Sequence, residues 1–279
     1  MPQTALPTRI IALDLDGTLL NSSKALSPAD LDALTYAASM GTEIVPTTGR
    51  FFDAIPGCVR DLPFLHYAIT VNGAVIYDIR RKQALSRTEI PLETALEVMA
   101  FLDHYPVLYD CYQSDRSYIS RHFQENAHLY MDSPYFLAMI RDLRLPVPDL
   151  QTFLRETGKD VQKIMVSTMD EGLRSLLFRE LSARFPRILA TSSLPTNIEI
   201  NDCRAHKGAA LRRLAEILGF DISQTVAFGD GTNDISMLRT AGIGFAMANS
   251  VPEVLAAADR VTASNDENGV AAGIRQLIF

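Results

Sequence analysis

Ile10-Ile11-Ala12-Leu13-Asp14-Leu15-Asp16-Gly17-Thr18 is the stretch whose reading decides this fold. The four apolar residues read as a buried strand, and the two carboxylates stand at its carboxyl end, where open α/β sheets bind their ligands. Beyond the strand, alternation no longer sets side-chain direction. Asp14 and Asp16 can therefore face one substrate, as a nucleophile and an acid/base in one crevice. Packed together without a cation, the pair would suffer like-charge repulsion and desolvation, or one pKa would rise sharply. The pair asks for a divalent ion, and an oxygen-only donor set favours Mg²⁺. A solvated acidic turn with Gly17 at positive φ uses the same residue types, so the rest of the chain has to decide.

Outward from this strand, strand-like and helix-like segments alternate, which predicts an α/β fold with a mainly parallel, doubly wound sheet. Ser27-Pro28-Ala29-Asp30 reads as a helix start, with Ser27 as N-cap and Pro28 in the first turn. Leu31, Leu34 and Ala38 give one apolar face, and Gly41 ends the helix. Thr42 to Pro46 is a second strand, His66 to Val71 a third, and Asn72-Gly73 turns the chain into Ala74 to Asp78. From about Lys82 to Pro195 the alternation gives way to aromatics and Pro-flanked segments. Helices over Leu92–His104, Arg121–Met131 and Glu171–Arg184 lie there among strands at Val107–Tyr112 and Val161–Thr168. This predicts an inserted α+β domain at 83–195 in a core made of 1–82 and 196–279. The core is expected to resume with Asn197–Asn201, a helix over Lys207–Leu218 and a strand at Thr225–Phe228.

A chain of 279 residues, 47% of them hydrophobic, can bury one large core or two medium ones. The net charge of −7 argues against a nucleic-acid surface, and an anionic substrate then needs local positive charge. Cys58, Cys111 and Cys203 are widely spaced and unpaired in pattern, which points to a reducing compartment. Met1 to Thr8 lacks a signal pattern and no 18-residue apolar run exists, so a cytoplasmic protein without membrane contact is expected, as a monomer or weak homo-oligomer.

Three more segments can converge on Asp14 and Asp16. Thr47-Thr48-Gly49-Arg50 ends a strand with a hydroxyl, a glycine and exposed N–H groups, a set suited to phosphate oxygens. Lys207 opens a helix and offers a point charge. Gly229-Asp230-Gly231-Thr232-Asn233-Asp234 ends a buried strand in two carboxylates and an amide; Asp230 is the metal-ligand candidate, and Asn233 or Asp234 could add a ligand or orient Lys207. In this order the motifs resemble the haloacid dehalogenase superfamily, and more closely its Cof-type phosphatases with a C2-type (IIB) cap between the second and third motifs. Asn72-Gly73-Ala74, Met237-Leu238 and Ser264 to Ala271 also resemble that subfamily. Thr232 stands where a glutamate is common.

The resemblance implies a Rossmann-like core and a phosphatase acting on a small phosphorylated metabolite. Asp14 would attack phosphorus and form an aspartyl-phosphate, and Asp16 would protonate the leaving alcohol and then activate water. Mg²⁺ would be held by the Asp14 carboxylate, the Asp16 carbonyl and Asp230. Leu15 and Gly49 N–H groups, Thr48, Lys207 and Asn233 would hold the phosphoryl group, with Arg50, Asn72 and Asp234 in support. The alternatives are a phosphomutase of the same superfamily and a non-catalytic sensor or binding module on this fold. A transport ATPase is excluded by Asp16 and the missing membrane spans. Six of the nine tyrosines fall between Tyr105 and Tyr135, where packing within the inserted sheet is preferred to a stacking surface for substrate. His104, His122 and His128 lack metal-ligand spacing.

Overall fold

In the computed structural model, which describes residues 7–192 and 196–277, β1 (Ile10–Leu13) is buried at every position. Ile11 and Leu13 enter a core with Leu34, Ala37, Val270 and Ile274. Ile10 and Ala12 enter a second core with Leu211, Leu214 and Met237. A strand covered on both faces needs apolar residues without alternation, which is what Ile-Ile-Ala-Leu supplies. The helix Pro28–Ser39 follows, capped as expected: Asp30 N–H donates to Ser27 Oγ at 3.0 Å, and Gly41 takes φ +84° just past its end. β2 (Glu43–Pro46) lies parallel to β1, and β3 (Tyr67–Thr70) continues from it through bridges at Ile44–Leu65 and Thr47–Ile69. β4 (Val75–Asp78) and β5 (Gln83–Arg87) fold back on β3 as an antiparallel ladder.

The chain divides into two compact units, one of Met1–Arg87 with His206–Phe279 and one of Thr88–Ala205. The crossings therefore differ from the expected 82/83 and 195/196, and the reason is strand pairing. Gln83–Arg87 bonds to β4 and stays with the core. The strand at Asn197, read from the sequence as the return of the core, pairs instead inside the inserted unit. Residue 195 and the first six residues lie outside the described residues.

The inserted unit is built on six strands, β6 (Leu108–Gln113), β7 (Arg116–Ser120), β8 (Arg144–Val147), β9 (Lys163–Ser167), β10 (Ile188–Thr191) and β11 (Asn197–Asp202). Their spatial order is β10-β11-β9-β6-β7-β8. Alternate residues Tyr109, Cys111, Ile164, Val166, Ile198 and Ile200 pack on the helices Leu92–Leu102, Leu150–Thr157 and Glu171–Arg184. Of the six clustered tyrosines, Tyr105, Tyr109 and Tyr118 join this packing, Tyr118 with its ring 4.5 Å from Phe153, whereas Tyr135 is exposed. The expected helix Arg121–Met131 is broken: Asn126 donates its side-chain amide to His122 O at 2.7 Å and leaves helical geometry, so Arg121–Glu125 and Ala127–Leu129 are separate turns. His104, His122 and His128 are exposed.

The other face of this sheet is buried and mixed: Leu108 and Ile119 pack with Ala127, Met131 and Ile140, and a polar cluster lies beside them. Arg144 donates to Asp110 at 3.1 Å and to the Tyr112 hydroxyl at 3.2 Å, and Lys163 lies 3.5 Å from Glu199 and over the Tyr112 ring. These charges are out of water, so removing one partner strands the other.

The core then closes with β12 (Thr225–Gly229), β13 (Ile243–Ala246) and β14 (Arg260–Val261), giving the all-parallel order β14-β13-β12-β1-β2. From β1 the sheet grows one way through β2 and the other way through β12. The gap between β1 and β12 is a topological switch point, where a crevice opens beyond the carboxyl ends. Among the described residues no helix is long and apolar enough to cross a membrane, and Cys58, Cys111 and Cys203 are free thiols.

Because Arg144 is buried against Asp110, Asp110→Ala should cost about 3–5 kcal/mol. The measurement is the urea midpoint of the transition assigned to the inserted unit, and an unchanged midpoint would mean that water reaches Arg144.

Candidate active site

The site assembles at the switch point. Leu13 pairs with Phe228, so Asp14 leaves β1 directly beside the end of β12, and its N–H donates to Phe228 O at 3.0 Å. Asp230 is the second residue past that register pair. Thr47 N–H donates to Leu13 O at 2.7 Å, which brings Thr48 and Gly49 to the same edge from the other side. Thr48 is buried, its N–H donates to Ile69 O, and its hydroxyl accepts from Arg50 N–H at 3.2 Å.

Lys207 is the hub. It opens the helix Lys207–Leu218 with His206 as N-cap, and its side chain is completely buried. Its Nζ donates to Asp14 Oδ1 and Asp234 Oδ1, both at 2.6 Å. Burial works against the ammonium, but the charges of Asp14 and Asp234 outweigh it and hold Lys207 protonated above its ordinary range. A helix start disfavours a cation, so the two carboxylates also offset that term. Gly208 lets the helix approach closely, since a Cβ there would lie 2.2 Å from Ser236 O.

Asp234 is fully committed. Its Oδ1 holds Lys207, and its Oδ2 accepts from Asp230 N–H at 3.1 Å and Gly231 N–H at 2.9 Å. Of the two roles the sequence left open for Asp234, its contact with Lys207 is the one visible in the structure. Asn233 instead donates to Asn72 Oδ1 at 3.4 Å. Asp230 is fixed from the first motif: Thr18 Oγ1 donates to its Oδ1 at 2.6 Å. Sequence reasoning gave Thr18 no role, though it stands in the decisive pentapeptide. Gly17 has φ +88°, and a Cβ there would meet Asp230 Oδ2 at 2.4 Å, so only glycine lets the two loops touch.

Asp14, Asp230 and Asp234 offer carboxylate oxygens within 4.8 Å of one another. Three carboxylates face one ammonium. Burial pushes Asp14 well above the usual carboxylate range against the pull of Lys207, and Asp234 and Asp230 add to the rise. Burial, then Asp234, raises Asp230 to about 6. A divalent cation would relieve this excess of negative charge, and the donor set of hard oxygens suits one. Asp14 Oδ2 and Asp230 Oδ2 accept no hydrogen bond among the described residues, which leaves them to ligate.

Asp16 stands apart from that cluster. Its carboxylate is gripped by Arg50, through Nε at 2.8 Å and a terminal nitrogen at 3.0 Å, and by Lys24 Nζ at 2.8 Å. Burial acts to raise the Asp16 carboxyl, but the Arg50 hydrogen bonds and charge, with Lys24 behind them, hold it below the usual range. The loop after Asp16 is stapled by residues to which the sequence gave no role. Asn249 donates to Gly17 O at 2.8 Å, Asn265 donates to Leu20 O at 3.0 Å, and Asp266 accepts from Ser22 N–H and Oγ. Ser264 to Ala271 was the signal for the last two.

Comparison with known proteins places this geometry in a family. The model of the haloacid dehalogenase-like hydrolases matches residues 11–274. A phosphatase of Bacillus subtilis, YwpJ, is 30% identical over 97% of this chain and 100% of its own length. The pyridoxal phosphate phosphatase YbhA of Escherichia coli is 30% identical over 95% of this chain and 96% of its own. A solved haloacid dehalogenase-like hydrolase from B. subtilis superposes with TM-score 0.84 at 27% identity, covering 97% of this chain and all of that one.

The raised Asp230 carboxyl sets a sign for stability. Folding favours its protonated form, so its contribution is full below about pH 4 and is lost as pH rises through about 6. In metal-free buffer the melting temperature of the wild type should therefore fall, relative to Asp230→Asn, between pH 4.5 and 7 (values spanning the usual and the raised carboxyl, roughly). Parallel curves for the two proteins would show that the Asp230 carboxyl is not raised.

Proposed function

This chain belongs to the haloacid dehalogenase-like hydrolases, in their Cof-type phosphatase branch, and we propose that it hydrolyses small phosphorylated metabolites, sugar phosphates or related monoesters, through an aspartyl-phosphate with Mg²⁺. The observation that carries the reading is Lys207 bridging Asp14 and Asp234 beside Asp230 at the switch point. A carboxylate nucleophile splits a hard hydrolysis into two displacements.

The Asp14 carboxylate attacks phosphorus while the ester oxygen leaves with a proton that Asp16 has to carry into the complex against the lowering pull of Arg50 and Lys24. Water then attacks the aspartyl-phosphate, Asp16 takes the water proton, and phosphate departs with Asp14 restored. Lys207 neutralises the transferring oxygens and keeps Asp14 aimed, and the Thr48 hydroxyl with the Leu15 and Gly49 N–H groups completes the cradle. Asp14, the Asp16 carbonyl and Asp230 would hold Mg²⁺, which supplies positive charge to the phosphoryl oxygens. Asn72 and Asn233 steady each other at the rim. We assign the choice of leaving group to the inserted unit, Thr88–Ala205. The free thiols suit work in the cytoplasm.

Release of phosphate from a panel of phosphorylated metabolites is the direct test, and it also separates hydrolysis from a mutase, which would return the phosphoryl group to the sugar. Asp14→Asn should lower turnover by more than about a thousandfold while still folding, as its circular dichroism would show, and retention within about tenfold would mean that Asp14 does not attack phosphorus. A chelator should abolish activity and Mg²⁺ restore it. Asp230→Ala should raise the Mg²⁺ concentration needed for half-activity, and an unchanged titration would assign the ion to other ligands.

A further inference from the structure

We propose that Arg50, with Lys24, is a positioning residue for Asp16, holding the acid/base carboxylate in the one orientation that reaches the leaving oxygen; this rests on the acid/base role proposed for Asp16. The guanidinium forms a two-bond fork with the carboxylate, at 2.8 and 3.0 Å, and is itself tied down. Its remaining terminal nitrogen donates to Ala54 O at 3.2 Å, its N–H donates to Thr48 Oγ1, and its carbonyl accepts from Val71 N–H. Lys24, on the same connection after β1 as Asp16, closes on its Oδ1.

Stability accounts for only part of this arrangement. The Asp16–Lys24 pair, 37% and 39% exposed, contributes at most about 1 kcal/mol, whereas the Arg50 fork comes from a guanidinium only 11% exposed. Lys24 moreover sits at φ +59°, left-handed backbone that a lysine adopts at a cost. The turn from Asn21 to Ala25 imposes it, with Lys24 N–H on Asn21 O at 2.8 Å. What the clamp delivers is direction. A carboxylate on a loop samples several rotamers, and proton transfer works only from the aimed one.

A residue that acts through Asp16 must matter where a proton is needed and lose its effect when Asp16 is gone. An alkyl phosphate needs leaving-group protonation, and p-nitrophenyl phosphate does not. We expect Arg50→Met to lower kcat on the alkyl ester at least about tenfold and on the aryl ester less than about threefold. Arg50→Lys should recover only part, since an ammonium cannot form the fork. In an Asp16→Asn background, Arg50→Met should cost less than about twofold further, because the two share one function. Equal losses on both esters, or a full loss in that background, would place Arg50 on the phosphate itself and overturn the proposal. Should Asp16→Asn alone show no preference between esters, the acid/base role has failed, and the positioning role with it. If Arg50 variants do not fold, Lys24→Met provides the same two-ester comparison at an exposed site, and equal effects there would likewise refute the clamp.

Discussion

A fully buried ammonium held by two buried carboxylates is the constraint on which this molecule turns. Lys207 Nζ meets Asp14 across 193 residues of sequence and Asp234 across 27. Unpaired, any of the three would sit as an uncompensated charge out of water, a state far more costly than the pair. The interaction is therefore satisfied only when the end of β1, the start of the helix at Lys207 and the turn after β12 come together. Placing a lysine at a helix start, against the dipole, makes little sense for stability alone. It suits the proposed chemistry, in which a permanent positive charge stands beside a carboxylate nucleophile that meets phosphate.

Everything around the hub serves that convergence. β1 and β12 run side by side and parallel, so their carboxyl ends deliver Asp14 and Asp230 to one crevice. Both faces of the sheet are covered, which keeps the edge rigid. Gly17 and Gly208 remove the two side chains that would wedge the loops and helices apart. Thr18 then spends its hydroxyl on Asp230, so one motif fixes the carboxylate of another. The result is a set of carboxylates preorganised around too little positive charge, and that deficit is the electrostatic invitation to a divalent ion.

The loop carrying Asp16 is governed differently. No strand holds it, and its position depends on contacts from both ends of the chain: Arg50 and Lys24 on the carboxylate, Asn249, Asn265 and Asp266 on the backbone beyond. In the proposed mechanism Asp16 gives up a proton in one half-reaction and takes one in the next, and such a group has to be aimed without being sealed in. The partly exposed Asp16 carboxylate meets that requirement, whereas the sealed Lys207 network meets the opposite one.

The sequence alone determined the parallel core, its first helix with the Ser27 cap, and the convergence of Asp14, Thr48, Lys207 and Asp230, because each is written in local pattern. An unbroken apolar run specifies a buried strand, and a polar motif at its end specifies a site. Partner choice was not local. Asn197–Asp202 reads as a strand, but nothing within it says whether it pairs with the core or with β9 and β10. Asn126 breaks a helix by a side-chain bond that competes with the backbone. The sequence left Asp234 between a ligand and a partner for Lys207, and the structure shows its bonds to Lys207, Asp230 and Gly231; it left Arg50 in an unspecified supporting place, and the structure shows its fork on Asp16. Hydrogen bonds between residues far apart in sequence decide those roles, and only the tertiary structure brings their donors and acceptors within reach.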